Sequence, residues 1–245
     1  MDYKVYRLSS AEKSKCLLIA LVLGGMIAFL FYNSWFGLLL IPILYVILRR
    51  RAVRSGILRR QEEMAREFLD ALRTISASLL AGFSMENAWK EAEKEIFSLY
   101  GEDSHMYREL ETMNHSVALN IPLEQLLEDF AMRSGNADIA SFSEVFAFAK
   151  RSGGNFVTII EGTTENMRAK YDTEREIQVL VASRKMEQNV MNVVPIFILA
   201  YLKVTSGGFL DVLYGNIAGV LFMTGCLAAY GGVVLLAEKI LNIHV

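Results

Sequence analysis

Apolar and polar positions divide this chain into two oily ends around a charged middle. The first apolar run, Cys16 to Leu48, holds no charged residue in 33 positions. As one helix it would measure about 50 Å, against a hydrocarbon core of about 30 Å. Its polar interruption, Tyr32-Asn33-Ser34-Trp35, carries aromatics that suit a headgroup interface. A helical hairpin turning at Asn33-Ser34, with two short arms, is therefore predicted. A secretory signal peptide would share the basic start at Lys13 and Lys15, but not so long a run without a small-residue cleavage site. The second oily region begins at Asn189. Asn189–Leu202 is a short apolar run holding Pro195, with Lys203 placed to snorkel at its end, and Ser206–Asp211 reads as a tight loop. Val212–Leu236 gives 25 uncharged residues, enough for a span. Within it Gly215 and Gly219, and Ala228 and Gly232, put small residues four apart, where helices approach closely in lipid.

The middle reads as helices throughout. Phe68, Leu72, Ile75 and Leu79 lie on one helical face that should stop near Ala81-Gly82. Ser84 is an N-cap for Met85 to about Tyr100. Gly101-Glu102-Asp103 breaks the pattern before a third helix, roughly His105 to Ala118. Asn120-Ile121-Pro122 opens a fourth, with proline in its first turn and Leu123, Leu126, Leu127 and Phe130 on its apolar face. Gly135-Asn136 ends it, and Phe142, Val145, Phe146 and Ala149 mark a fifth. After a loop at Ser152-Gly153-Gly154-Asn155, with Asn155 as cap, a sixth runs from Phe156 with no stop signal before the oily region. LLAGFSMENAWKEA and ALNIPLEQLLEDFA share one order of break, cap, apolar and Glu positions, so a duplicated helix-turn-helix and a chance likeness of two capped helices both fit.

Composition sharpens the division. Of 52 Lys, Arg, Asp and Glu residues, 42 fall within the 140 residues from Arg49 to Gln188. That distribution excludes a simple soluble enzyme, a disordered tail and a collagen-like module. Two cysteines make no disulfide framework; Cys16 and Cys226, inside apolar runs, are predicted to be small buried hydrophobes. Arg49, Arg50, Arg51, Arg54, Arg59 and Arg60 form a collar without an acid, and Lys4, Arg7, Lys13 and Lys15 precede the first run. Basic flanks mark the cytoplasmic side, so two crossings keep both flanks inside where one would not. The collar then reads as topology signal and lipid-headgroup contact. Residues 61–188 hold 13 basic and 23 acidic side chains, a net of −10, which disfavours nucleic acid and favours a basic or mixed protein partner.

The expected fold is all-α: a polytopic membrane protein with about four transmembrane helices, an N-terminal pair and a C-terminal pair, and a cytoplasmic six-helix domain. The expected segments are 1–48 for the first hairpin, 49–60 for the collar, 61–188 for the helical domain, 189–237 for the second pair and 238–245 for a short cytoplasmic tail. No nucleotide-cradling glycine motif occurs. Gly153-Gly154 before a helix reads as a plain turn ahead of an anion site. His105 and His115 read as exposed helix residues; with His244 they have no metal-ligand spacing. No catalytic residue, metal or cofactor is expected.

Three phrases in order resemble the type II secretion F domain family. They are FLDALRTISASLLAGFSMENAW (Phe68–Trp89), NIPLEQLLEDFAMR (Asn120–Arg133) and FAFAKRSGGNFVTIIEGTTENMR (Phe146–Arg168), followed by a helix entering the membrane at Pro195. Asn120 stands where that family commonly has glycine, and Asn is the next residue to tolerate unusual backbone angles. A single such domain after an apolar hairpin is similar to the tight-adherence (Tad) pilus platform subunits of B and C type. The resemblance implies a non-enzymatic inner-membrane platform that couples a cytoplasmic secretion ATPase to extraction and polymerisation of pilin subunits, paired with itself or a paralogue. Gly82, Pro122, Gly153, Gly154 and Pro195 would then fix turns and a helix kink, with ordinary caps and turns as the plainer role. A membrane-anchored sensor and a small transporter are the competing classes.

Overall fold

The structure is a computed structural model that describes Tyr3, Tyr6, residues 8–32, 35–152, 156–205, Gly208, Tyr214 and residues 216–241. Every regular element among them is helical and none is a strand. The helices are α1 (Ser10–Ile27), α2 (Ile41–Leu80), α3 (Met85–Tyr100), α4 (His105–Ala118), α5 (Leu123–Ser134), α6 (Ala137–Ser152), α7 (Phe156–Thr205) and α8 (Ile217–Leu241). Packing divides the chain into two units. One takes Met1–Arg7 and Val53–Asp172; the other takes Leu8–Ala52 and Thr173–Val245. The composition change had placed the divisions at 60/61 and 188/189.

The first unit is built from the faces that the periodicity marks. Phe68, Leu72, Ile75 and Leu79 of α2 are all buried, as are Leu123, Leu127 and Phe130 of α5 and Phe142, Phe146 and Ala149 of α6. Aromatic rings knit the helices together. Phe68 meets Phe142 edge-on at 5.4 Å, Trp89 meets Phe146 at 5.6 Å, and Phe146 meets Phe156 at 5.3 Å. Such pairs add about 0.5–1.5 kcal/mol each beyond their burial. The stops also follow the sequence. Gly101 and Gly135 end α3 and α5 at φ +75° and +66°, where a Cβ would be strained. Ser84 Oγ accepts from Asn87 N–H, and Asn136 Oδ1 accepts from the N–H groups of Asp138 and Ile139 at 2.8 and 3.2 Å.

In the second unit α1 begins with Glu12 Oε2 accepting from Ser9 N–H at 2.8 Å. It ends in a π-helical turn, Ala28–Tyr32, and Trp35–Leu40 is 3-10 helix. The predicted hairpin turn, Asn33-Ser34, lies outside the described residues. The stretches on either side of it nevertheless meet: a Cβ on Gly24 would lie 2.4 Å from Ile41 Cγ1. Gly24 is thus needed for that approach. Leu30, Phe31 and Met223 form a small buried cluster, joined by Ile196, Leu199 and Leu227, so that the end of α1 packs with α7 and α8.

Among the described residues three stretches are long and apolar enough to cross a membrane: Ser10–Tyr32, Phe156–Thr205 and Ala218–Ala237. The expected fourth is not one helix, because the 3-10 segment separates it from Ile41–Leu48, the apolar start of α2. Cysteine burial is corrected. Cys226 is exposed and Cys16 only half-buried, since both project from the outer faces of apolar helices. In α8, Cβ atoms added to Gly225, Gly231 or Gly232 would meet nothing within 4 Å among the described residues. Gly215 and most of Ser206–Asp211 lie outside the described residues.

Candidate functional site

Two turns of the helical unit have the same construction. After α2, Gly82 N–H bonds to Leu79 O at 3.0 Å and Phe83 N–H to Ser78 O at 3.0 Å. After α4, Asn120 N–H bonds to Val117 O at 2.9 Å and Ile121 N–H to Ser116 O at 3.1 Å. Both are Schellman endings, with the left-handed residue at φ +87° for Gly82 and +65° for Asn120. Ser84 and Pro122 follow as N-caps at equivalent places. The correspondence, an offset of 120 − 82 = 38 positions, extends into the core. Phe68 and Met106, Leu72 and Leu110, Ile75 and Met113, and Trp89 and Leu127 are all buried. The likeness of the two sequence phrases is therefore a repeated hairpin, α2–α3 and α4–α5.

The first residues of α3, α5 and α7, namely Met85, Leu123 and Phe156, line one cavity of about 450 Å³ with Trp89 and Lys150. Lys150 Nζ bonds to Glu124 Oε2 at 2.9 Å, tying α6 to α5 beside it. Asn120 and Pro122 of the second turn line the same cavity. Pro122 is corrected by one position. It caps α5 from outside its first turn, because ψ 132° is extended rather than helical. Gly153, Gly154 and Asn155 lie outside the described residues. Pro195 is inside α7, which continues through it to Thr205.

A buried polar cluster, which the sequence did not indicate, joins the N-terminal segment to α4 and α5. Tyr3 is 2% exposed, and its hydroxyl donates to Glu109 Oε1 at 2.7 Å. Arg133 donates to both oxygens of Glu109 at 2.8 and 2.7 Å and, through Nε, to Asp129 Oδ2 at 2.7 Å. Tyr3 N–H bonds to Arg133 O at 3.2 Å. Burial alone would raise the Glu109 carboxyl, but the hydrogen bonds from Arg133 and Tyr3 hold it below its ordinary range. The Tyr3 phenol is pushed well up by burial and by its bond to that carboxylate. Tyr6 lies against Gly56, where a Cβ would come within 2.7 Å of its ring, and under the Arg60 guanidinium at 5.1 Å.

His105 is corrected too. It is half-buried edge-on to the Tyr3 ring at 5.5 Å, with Nδ1 buried and without a hydrogen-bond partner among the described residues. Burial, followed by Arg60, lowers its pKa. His115 is exposed as expected, and His244 lies outside the described residues. Glu67 closes the same region from α2, accepting from Ser104 Oγ at 2.9 Å and Met106 N–H at 3.1 Å.

The collar arginines Arg49, Arg50, Arg51, Arg54, Arg59 and Arg60 all lie on α2, Arg59 bonding to Glu63 at 2.8 Å. In the second unit Lys203 Nζ bonds to Phe29 O on the π-turn, with the Phe29 and Tyr214 rings 3.8 and 5.1 Å away. Tyr214 donates to Leu30 O, and Tyr32 shares a 3.1 Å bond with Thr224. A π-turn displaces carbonyls from the helical ladder, which frees them for such donors. Among the described residues no group of three His, Cys, Asp or Glu side chains could hold a metal ion. Compared with known families, curated proteins and solved structures, the chain matches none.

Proposed function

We propose that this protein is an inner-membrane platform subunit of a type IV pilus-like assembly machine, of the tight-adherence or type II secretion kind. Its helical unit would meet a cytoplasmic secretion ATPase, and its membrane segments would act on pilin subunits. The observation that carries this reading is α7, one 50-residue helix that begins in the core at Phe156 and includes the apolar run around Pro195. Both the acidic unit and the apolar run contribute to this one helix, so a push on the former would be passed along α7, with Pro195 as its kink-prone position.

The unit would lie on the cytoplasmic side, with both termini, through four crossings. Ser10–Tyr32 is about 34 Å long at 1.5 Å per residue. Trp35–Leu40 as 3-10 helix and Ile41–Leu48 as α-helix add up to about 24 Å, because 3-10 helix rises about 2.0 Å per residue. A slight local thinning of the bilayer accommodates that shorter arm. The contact of Gly24 with Ile41 suits antiparallel arms, and an even number of crossings keeps the collar and the N-terminal basic residues on one side. The protein would work paired with itself or a paralogue, without enzymatic chemistry of its own. Deleting its gene should abolish surface filaments while pilin accumulates in the membrane, and the full chain should restore them. Filaments of normal number in the deletion strain would contradict the proposal.

A further inference from the structure

We infer that the groove between α5 and α6 is the docking site for a basic amphipathic helix of a protein partner. The groove measures about 700 Å³. Its floor is made of short side chains, Ala131, Ala140 and Ala147, and one wall carries Met132, 61% exposed. Short floor residues let a third helix lie in the trough at the 8–10 Å axial separation of packed helices. From Ala140 to Arg151 the α6 wall runs about 16 Å, which matches three turns of an incoming helix.

Charge selects the occupant. Glu128 and Glu144 line the groove, both exposed and without an ion pair among the described residues. Glu124 is already held by Lys150. Arg151 lines the same groove, its Nε on Ala147 O. The docked helix therefore presents Lys or Arg to Glu128 and Glu144, an acid to Arg151 and a medium apolar side chain to Met132. An anionic bilayer and nucleic acid are both repelled by such a face. A helix-in-groove partner answers all three features together.

This inference names the face that a partner of the proposed platform would take, and it fails separately from that proposal. The test uses the full chain in nanodiscs and a labelled 14-residue helical peptide with an Ala/Leu face and Lys at i and i+4. A second peptide carries Glu at those two positions. The Lys peptide should bind, the Glu peptide should not, and a photoprobe on it should crosslink to α5 and α6. Glu128→Lys with Glu144→Lys should weaken binding at least about tenfold. Glu91→Lys with Glu95→Lys on α3, an equal change of net charge, should leave it within about twofold. Equal loss in both double variants, equal binding of both peptides, no binding to the native chain, or crosslinks elsewhere would each overturn the groove. Failure of the Lys peptide to bind a native chain that still carries its ATPase would overturn the groove while leaving the platform proposal standing.

Discussion

Gly82 and Asn120 occupy the same place in two copies of one turn, with left-handed φ of +87° and +65° and the same pair of backbone bonds, spanning three and five positions. Only the first has the residue that the conformation favours. Asn120→Gly should therefore leave the unit folded and no less stable in chemical denaturation. Gly82→Val should cost about 1–2 kcal/mol, the penalty for a Cβ in left-handed conformation. An equal loss in both variants would mean that the turns are not equivalent.

Glu109 is 5% exposed and its charge is met by Arg133 and Tyr3. Arg133→Met takes the bidentate guanidinium from a buried carboxylate, and should destabilise the unit by about 3 kcal/mol. Tyr3→Phe removes one charge-assisted bond and should cost about 1–2 kcal/mol. Glu109→Gln with Arg133→Met should cost less than the two single changes added, because no uncompensated charge remains. Urea unfolding of the detergent-solubilised chain measures all four.

His105 and Glu109 give acid sensitivity in separate windows. His105 is lowered by burial and by Arg60, against the opposing pull of Glu67 and Glu63, so the unfolded chain takes up its proton first. Its contribution to stability is full above the ordinary histidine value of about 6.5 and is lost as pH falls below it. Glu109, also lowered, contributes fully above the ordinary value of about 4.3 and loses that contribution as pH falls below it. His105→Gln should flatten the loss of thermal stability between about pH 6.5 and 5, leaving the steeper loss below about pH 4.3 in place. An unchanged slope in the upper window would exclude His105 as its source.

The close approach of Gly24 to Ile41 fits a hairpin whose two ends share a side. With Cys16 and Cys226 replaced by serine, single cysteines at Ser10, Glu91 and Lys239 should all be labelled by a membrane-impermeant maleimide from the cytoplasmic face alone. Labelling of Ser10 from the opposite face would show that Trp35–Leu48 does not cross.

Much of the helical unit was legible because local signals and burial agree there. Ser84, Gly101, Gly135 and Asn136 lie at helix ends that their chemistry favours, and the face of Phe68, Leu72, Ile75 and Leu79 is buried. The repeated turn was visible only as a likeness of phrases, because Gly82 and Asn120 reach one conformation with different side chains. Tyr3 and Glu109 were not legible as a pair. They lie 106 positions apart, and no periodicity links a short N-terminal segment to the buried side of α4. His105 was misjudged for the same reason, since the ring that covers it is Tyr3. The second arm of the first hairpin was expected as a short span, but its 3-10 start at Trp35–Leu40 was not legible, because hydropathy is blind to helix type.

The most direct measurement is association with the ATPase. The full chain, purified from its own membranes in mild detergent, should carry a secretion ATPase at a fixed ratio, and a variant lacking residues 61–152 should carry none. An ATPase that is absent from the full chain, or equally abundant with the truncated one, would contradict the platform account.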